Sequence, residues 1–355
     1  MYHYSPTFKN STFSKGRQHE IQLGVSQIIL VLLILSAFIG FVIFHFSRSH
    51  NSIMVTSSPS EDEVISKCYY DTLINKPDND VPRVFAAEES TDESTATPIQ
   101  SEPEISGKSG IVVEADSGRV LFDKNSGERL KLASLTKIMT AVVALEHKSL
   151  SDKLTVSDKA ATIGENAMGI STGEAYTLEE LMYGLLLNSG NDAAYAIAEG
   201  VAGDSDTFVK WMNMKSAELG LHNTYFADPS GLDDSSYTTA RDLVVLTEYA
   251  MRFSEFRQIV ATFSKELPYS DEHKELYLEN QTNLLTTYPG DIGVKTGYTE
   301  EAGLCLVSYA VNGGKEMIGV VLGSSDRKGD MVLMLDHSFD AVGVHVEHPK
   351  LIFSN

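Results

Sequence analysis

The chain has 355 residues, of which 42% are hydrophobic and only 10 are proline, and it carries a formal charge of −21. That length and apolar content suit one sizeable globular domain with additional segments and exclude a wholly disordered chain. The acidic balance excludes the basic face with which a non-specific nucleic-acid binder neutralises phosphates, so no nucleic acid is expected as a partner.

The first element in chain order is the apolar run Ile28 to Phe46, which has no formally charged side chain and only His45 as a titratable one. About 19 residues at a rise of ~1.5 Å reach roughly 28 Å, close to the hydrocarbon thickness of a bilayer. No small-residue cleavage pattern follows Phe46, so residues 28–46 read as an uncleaved transmembrane signal-anchor rather than a removable leader. Lys9, Lys15 and Arg17 precede the span and Arg48 follows it. The positive-inside rule then puts residues 1–27 in the cytoplasm and everything after the span outside a cell membrane crossed once. Residues 47–106 are rich in Ser, Thr, Glu, Asp and Pro and hold too little apolar surface to offset the entropy of ordering, so they read as an acidic disordered stalk. Its clearest apolar cluster is Val64 to Leu73. Cys68 in the stalk and Cys305 in an expected strand make neither a disulfide framework nor a zinc site.

The folded domain is expected over residues 107–355. Gly110 to Asp116, the turn Ser117-Gly118 and Arg119 to Phe122 predict a hairpin. Helices are predicted at Ser134 to His147, Leu178 to Leu187, Asp192 to Ala198, Ser205 to Leu219 and Thr239 to Phe253. Strands return at Asp291 to Lys295, Leu304 to Val311 and Glu316 to Leu322, and a last helix runs from Lys328 to Val342. Two strands, an all-helical insertion, three strands and a closing helix predict an α+β domain: an antiparallel sheet flanked by helices.

Three short motifs stand in order along this domain: Ser134-Leu-Thr-Lys137, Ser189-Gly-Asn191 and Lys295-Thr-Gly297. Helical positions three apart share a face, so Ser134 and Lys137 can bring Oγ and Nζ within hydrogen-bond reach. Serine alone is a poor nucleophile. A lysine becomes its base near neutral pH once burial lowers the lysine pKa, and Leu132, Leu135, Ile138 and Met139 supply apolar surroundings. The helix N-terminus adds N–H donors and positive potential for an oxyanion beside Ser134. Ser-x-x-Lys alone arises about once by chance in a chain of this length. Ser325-Asp-Arg-Lys328 is such a match, in a polar stretch where a helix-capping or surface reading is better. Ser189-Gly190-Asn191 falls on a turn between two apolar helical segments, where a plain helix stop and cap would also serve. Lys295-Thr-Gly297 ends a predicted strand, and Gly297 leaves room for a substrate backbone along the strand edge. The ordered trio is the motif set of serine acyl-transfer sites.

The chain resembles the serine D-alanyl-D-alanine carboxypeptidases, low-molecular-weight penicillin-binding proteins with the serine β-lactamase-like, transpeptidase-type fold. The likeness extends through Ala133 to Ala141, Leu186 to Ala193, Asp228-Pro-Ser-Gly-Leu232, Thr239 to Leu243 and Gly293 to Thr299 with Ala302-Gly303, and covers the whole domain. It implies that Ser134 forms an acyl-enzyme with the penultimate D-alanine of peptidoglycan stem peptides, that Lys137 takes its proton, and that Ser189 relays a proton to the leaving D-alanine. By the same resemblance Asn191 would hold the peptide amide, Lys295 would keep the pocket positive, and Thr296 would bind the terminal carboxylate beside Gly297. The backbone N–H groups of Ser134 and Tyr298 would form the oxyanion hole, and β-lactams would acylate the same serine. No cofactor or metal is implied, and the histidines His337, His345 and His348 form no HExxH-type pattern. Asp233-Asp234 lacks a calcium-loop pattern and reads as a solvated turn.

Departures from the family pattern carry expectations of their own. Many relatives continue into a second β-rich domain and a C-terminal amphipathic anchor, whereas this chain ends at Asn355 and the N-terminal span takes the anchoring role. Near Glu165-Asn-Ala-Met-Gly169 the family often has a serine where Asn166 or Ala167 stands here. No arginine lies between Asn280 and Gly293, which leaves Arg327 as a further cation for the substrate carboxylate. Two alternatives remain: a serine β-lactamase, for which Glu218-Leu-Gly-Leu-His222 approaches but misses the E-x-x-L-N segment, and a non-catalytic, membrane-tethered muropeptide sensor.

Overall fold

Alternation along strand β1 (Ser109–Glu114) sorts its residues into two cores: Ile111 and Val113 pack with the helical half of the domain, and Val112 packs on the other face. The computed structural model describes residues 101–348; the expected span at 28–46, the stalk up to residue 100 with Cys68, and residues 349–355 lie outside the described residues. Among the described residues no helix is long and apolar enough to cross a membrane.

Strand β1 pairs with β2 (Val120–Lys124) through a turn at Gly118, whose φ of +70° suits glycine. The expected hairpin is thus present. The sheet is completed by strands from the far end of the domain and has the antiparallel order β2-β1-β9-β8-β7. Closing it, β9 (Lys315–Ser324) sits beside β1 with Ile111 opposite Val320, and β8 (Gly303–Asn312) lies between β9 and the edge strand β7 (Asp291–Thr299). The C-terminal helix (Arg327–Ala341) covers one face with Met331, Leu335 and Phe339. Residues leading into β1 already belong to this layer: Ile105 is buried, and the Ser106 and Gly107 N–H groups donate to Asp330 at 2.9 and 2.8 Å.

The other face carries the insertion, whose long helices arise where expected: α1 (Thr136–His147), α3 (Leu178–Leu186), α4 (Asn191–Ala202), α5 (Ser205–Glu218) and α6 (Ala240–Ala250), the last packed between α1 and the sheet. Polar caps fix the starts of three, with Thr177, Asp204 and Thr239 each accepting an N–H of the first turn. The insertion is not all-helical, which corrects the expectation. It contains two small antiparallel pairs, β3 (Lys153–Thr155) with β4 (Ala175–Thr177) and β5 (Ser264–Leu267) with β6 (Leu276–Glu279), besides the short helices α2 (Asp158–Thr162) and α7 (Ser254–Val260). Three- and four-residue strands are too short to display a period, and their pairing is set by tertiary contact.

One further boundary differs from expectation. Strand β7 runs four residues beyond Lys295, because Gly297 and Tyr298 keep their places opposite Cys305 and Leu304. The Ser325 stretch is a cap and surface segment, as expected: Ser325 is exposed and its N–H donates to Ser106 Oγ at 3.1 Å, while Asp326 caps the last helix, α8, by accepting the Gly329 N–H at 3.0 Å. A carboxylate one residue nearer the helix is the better-placed acceptor.

Candidate functional site

Ser134 sits in a 3₁₀ turn, Ala133–Leu135, that runs directly into α1, so the spacing to Lys137 spans one tight turn rather than a regular α-turn. Lys137 is fully buried. Its Nζ donates to Ser134 Oγ at 2.9 Å, to Asn191 Oδ1 at 2.7 Å and to the Ser230 carbonyl at 2.8 Å. Burial pushes its pKa down to about 7 even though the charges of Asp228, Asp192 and Glu165 act in the opposite direction. As an ammonium, Lys137 satisfies three acceptors. As the neutral amine it keeps two donors for Asn191 and Ser230 and turns its lone pair to the Ser134 hydroxyl.

The Ser230 carbonyl is aimed by the Asp228-Pro-Ser-Gly loop. Asp228 accepts from Ser230 Oγ at 2.8 Å, the Gly231 N–H at 2.6 Å and the Leu232 N–H at 3.1 Å, and Thr140 of α1 donates to the Pro229 carbonyl at 2.6 Å. A Cβ on Gly231, at φ +83°, would lie 1.9 Å from the Ala133 carbonyl oxygen, so glycine alone allows this loop to rest on the turn bearing Ser134. Ala133 itself has φ +49°.

The second motif opens α4. Asn191 faces Lys137 through Oδ1 and ties down the preceding loop twice, donating from Nδ2 to the Gly164 carbonyl at 3.1 Å and from its N–H to the Asn166 carbonyl at 2.8 Å. One Nδ2 hydrogen remains for a bound group. Ser189 combines φ +58° with a buried Oγ that has no hydrogen-bond partner among the described residues. A buried hydroxyl without a partner costs about 1–3 kcal/mol and left-handed backbone at a non-glycine residue adds strain, neither of which an ordinary helix stop requires.

Edge strand β7 forms the facing wall. Lys295 is buried, donates from Nζ to the Thr296 carbonyl at 3.0 Å, and is held well below the usual lysine range first by burial and then by the charges of Lys137 and Arg327. Burial and the two neighbouring cations thus both disfavour its charged form in the free pocket. An anionic ligand would supply the counter-charge that stabilises it. Thr296 is buried and Tyr298 exposed, while a Cβ on Gly297 would come within 3.0 Å of the Leu132 carbonyl oxygen and 3.3 Å of the Ser134 nitrogen. The backbones of Ser134 and β7 thus lie side by side. Arg327 donates to the Gly297 carbonyl at 2.9 Å and is mostly buried at the same edge.

The fold therefore brings together Ser134, Lys137 and Asn191 by direct hydrogen bonds, sets Gly297 of the Lys295-Thr296-Gly297-Tyr298 segment against Ser134, and places Ser189 on the turn that carries Asn191. Such a set can activate a hydroxyl, donate to a developing oxyanion and bind an acyl group lying along a strand edge. Sequence reading noted the segments containing Asp228, Ser230 and Gly231 without assigning them a role. The signal was the local Asp-x-Ser-Gly turn, but the functional atom is a backbone carbonyl. Glu218 has no place in the site, since it is exposed at the end of α5 and pairs with Lys215 at 2.8 Å. His345 and His348 pair with Asp340 and Asp336, and no group of three or more His, Cys, Asp or Glu among the described residues is arranged to hold a metal ion.

A sequence profile of the D-alanyl-D-alanine carboxypeptidases matches residues 96–326. The chain is 38% identical over 247 residues to the D-alanyl-D-alanine carboxypeptidase DacF of Bacillus subtilis, a match that covers 67% of this chain and 63% of that protein. It is 35% identical over 266 residues to the D-alanyl-D-alanine carboxypeptidase of Streptomyces sp. strain K15, covering 69% of this chain and 91% of the relative. Among solved structures, the Streptomyces K15 DD-transpeptidase superposes with a TM-score of 0.66 at 33% identity, over 68% of this chain and all of that one. The penicillin-binding fold, an antiparallel sheet with helices, is common to both.

Proposed function

Because the chain belongs to the D-alanyl-D-alanine carboxypeptidase family, we propose that it removes the terminal D-alanine from peptidoglycan stem pentapeptides through an acyl-enzyme on Ser134. The observation that carries this reading is the buried Lys137 Nζ, 2.9 Å from Ser134 Oγ and fixed by Asn191 and Ser230. Neutral Lys137 takes the hydroxyl proton as Oγ attacks the carbonyl of the penultimate D-alanine. The backbone N–H groups of Ser134 and Tyr298 hold the oxyanion, Ser189 passes a proton to the departing amine, and the peptide lies along β7 with its carboxylate at Thr296, Lys295 and Arg327. Water then releases the acyl group. An amine in place of water would give transpeptidation, the activity named for the Streptomyces K15 protein. β-Lactams acylate Ser134 by the same route. The apolar run 28–46 anchors the chain in the cell membrane with the domain outside, where stem peptides are found.

The test is release of free D-alanine from a pentapeptide ending in D-Ala-D-Ala, with Ser134→Ala as background. Release well above that background is expected, together with slow loss of bound penicillin. No release above the variant would leave only binding, and rapid penicillin turnover would make the domain a β-lactamase.

A further inference from the structure

The loop 164–170 beside the site is held on both flanks of one residue. Asn191 takes the Gly164 carbonyl on one side and the Asn166 carbonyl on the other, and the buried Asp192 carboxylate accepts the N–H groups of Met168, Gly169 and Ile170 at 2.7, 2.8 and 3.2 Å. Between these clamps stands Glu165, with φ +65°. Left-handed backbone suits glycine or asparagine, and local structure supplies no reason for glutamate there. Its side chain is exposed and makes no hydrogen bond or ion pair with another described residue. Its charge nevertheless reaches Lys137. A rigid loop thus presents a free carboxylate at the rim of the serine site, one residue on either side from the carbonyls that Asn191 binds.

That placement selects what the carboxylate can meet. On the proposed reading, the free Nδ2 hydrogen of Asn191 takes the carbonyl of the residue preceding the penultimate D-alanine. The side chain of that same residue then projects beside Asn191, toward loop 164–170. We propose that Glu165 is a specificity-determining residue that pairs with a cationic side chain, an ammonium on a diamino acid, at the third position from the C-terminus of the stem peptide. This inference rests on the carboxypeptidase reading and adds to it a preference within the substrate class. No bond is made or broken by Glu165.

The experiment compares two peptides of the form acetyl-L-Lys-D-Ala-D-Ala, one with a free ε-amine and one with that amine acetylated, on the wild-type protein, Glu165→Gln and Glu165→Lys. A solvent-exposed ion pair supports a preference of about three- to fivefold in kcat/KM for the free amine, carried by KM and weakened by salt. Glu165→Gln is expected to bring the two peptides together by raising KM for the free amine, and Glu165→Lys to reverse the order. Equal use of both peptides by the wild type overturns the inference while leaving the carboxypeptidase reading intact. An equal fall in kcat on both peptides in Glu165→Gln overturns it too, because it assigns Glu165 to the loop's shape. If neither peptide yields D-alanine, the enzymatic reading fails. Affinities of both peptides for Ser134→Ala, with and without Glu165→Gln, then decide the pairing: a charge-dependent difference supports it and none overturns it.

Discussion

Lys137 concentrates the chemistry of this molecule in one amine. Its three acceptors come from the turn before α1, from the start of α4 and from the Asp228 loop. The amine itself is fully buried, and its loss of hydration outweighs the neighbouring carboxylates. The sign of the pH effect follows directly. Below about 7 the ammonium donates to Ser134 and cannot accept its proton; above that value the amine is free to do so. Acylation of Ser134 by a fluorescent penicillin is therefore expected to rise with pH, to be half-maximal near 7 and then to level off. Lys137→Arg, permanently charged, should lower that rate by about 10²-fold or more at every pH and abolish the rising limb. A wild-type rate independent of pH between 5 and 9 would count against Lys137 as the base. Lys295 differs although it is equally buried: it pairs with no carboxylate among the described residues, and on the proposed reading the ligand's carboxylate would be its counter-charge.

At the scale of elements, the site is a junction at which a 3₁₀ turn, a loop and an edge strand approach one another through glycines. Gly231 lies against the Ala133 carbonyl and Gly297 against Leu132 and Ser134. Side chains at either place would separate the walls of the cleft. Gly231→Ala combines a clash at 1.9 Å with a left-handed φ. It should destabilise the domain by about 2 kcal/mol or more, visible as a melting temperature lowered by several degrees, and slow penicillin labelling further by moving the Ser230 carbonyl off Lys137. An unchanged melting temperature would show that the loop yields without strain. The main helices and the five-stranded sheet were legible because their apolar periods extend over many residues. The pairs β3–β4 and β5–β6 were not, since strands of three or four residues owe their pairing to neighbours distant in the chain.

For the whole molecule, the proposed anchor predicts that the complete chain partitions with membranes and resists washing with high salt or alkali. A version beginning at residue 101 should be soluble and still label with penicillin at Ser134. Release of the complete chain by a salt wash would argue against residues 28–46 as a span. The amino-acid sequence by itself determined the reactive residue types, their order along the chain and the periodic elements that carry them, because these depend on local spacing. The tertiary structure alone decided that the Ser230 carbonyl, 93 positions from Lys137, completes the amine's environment, that Asn191 clamps the loop holding Glu165, and that burial beside Lys137 and Arg327 holds Lys295 well below the usual lysine range. A backbone carbonyl has no signature in sequence, and a pKa is set by the water that distant segments exclude once they pack together.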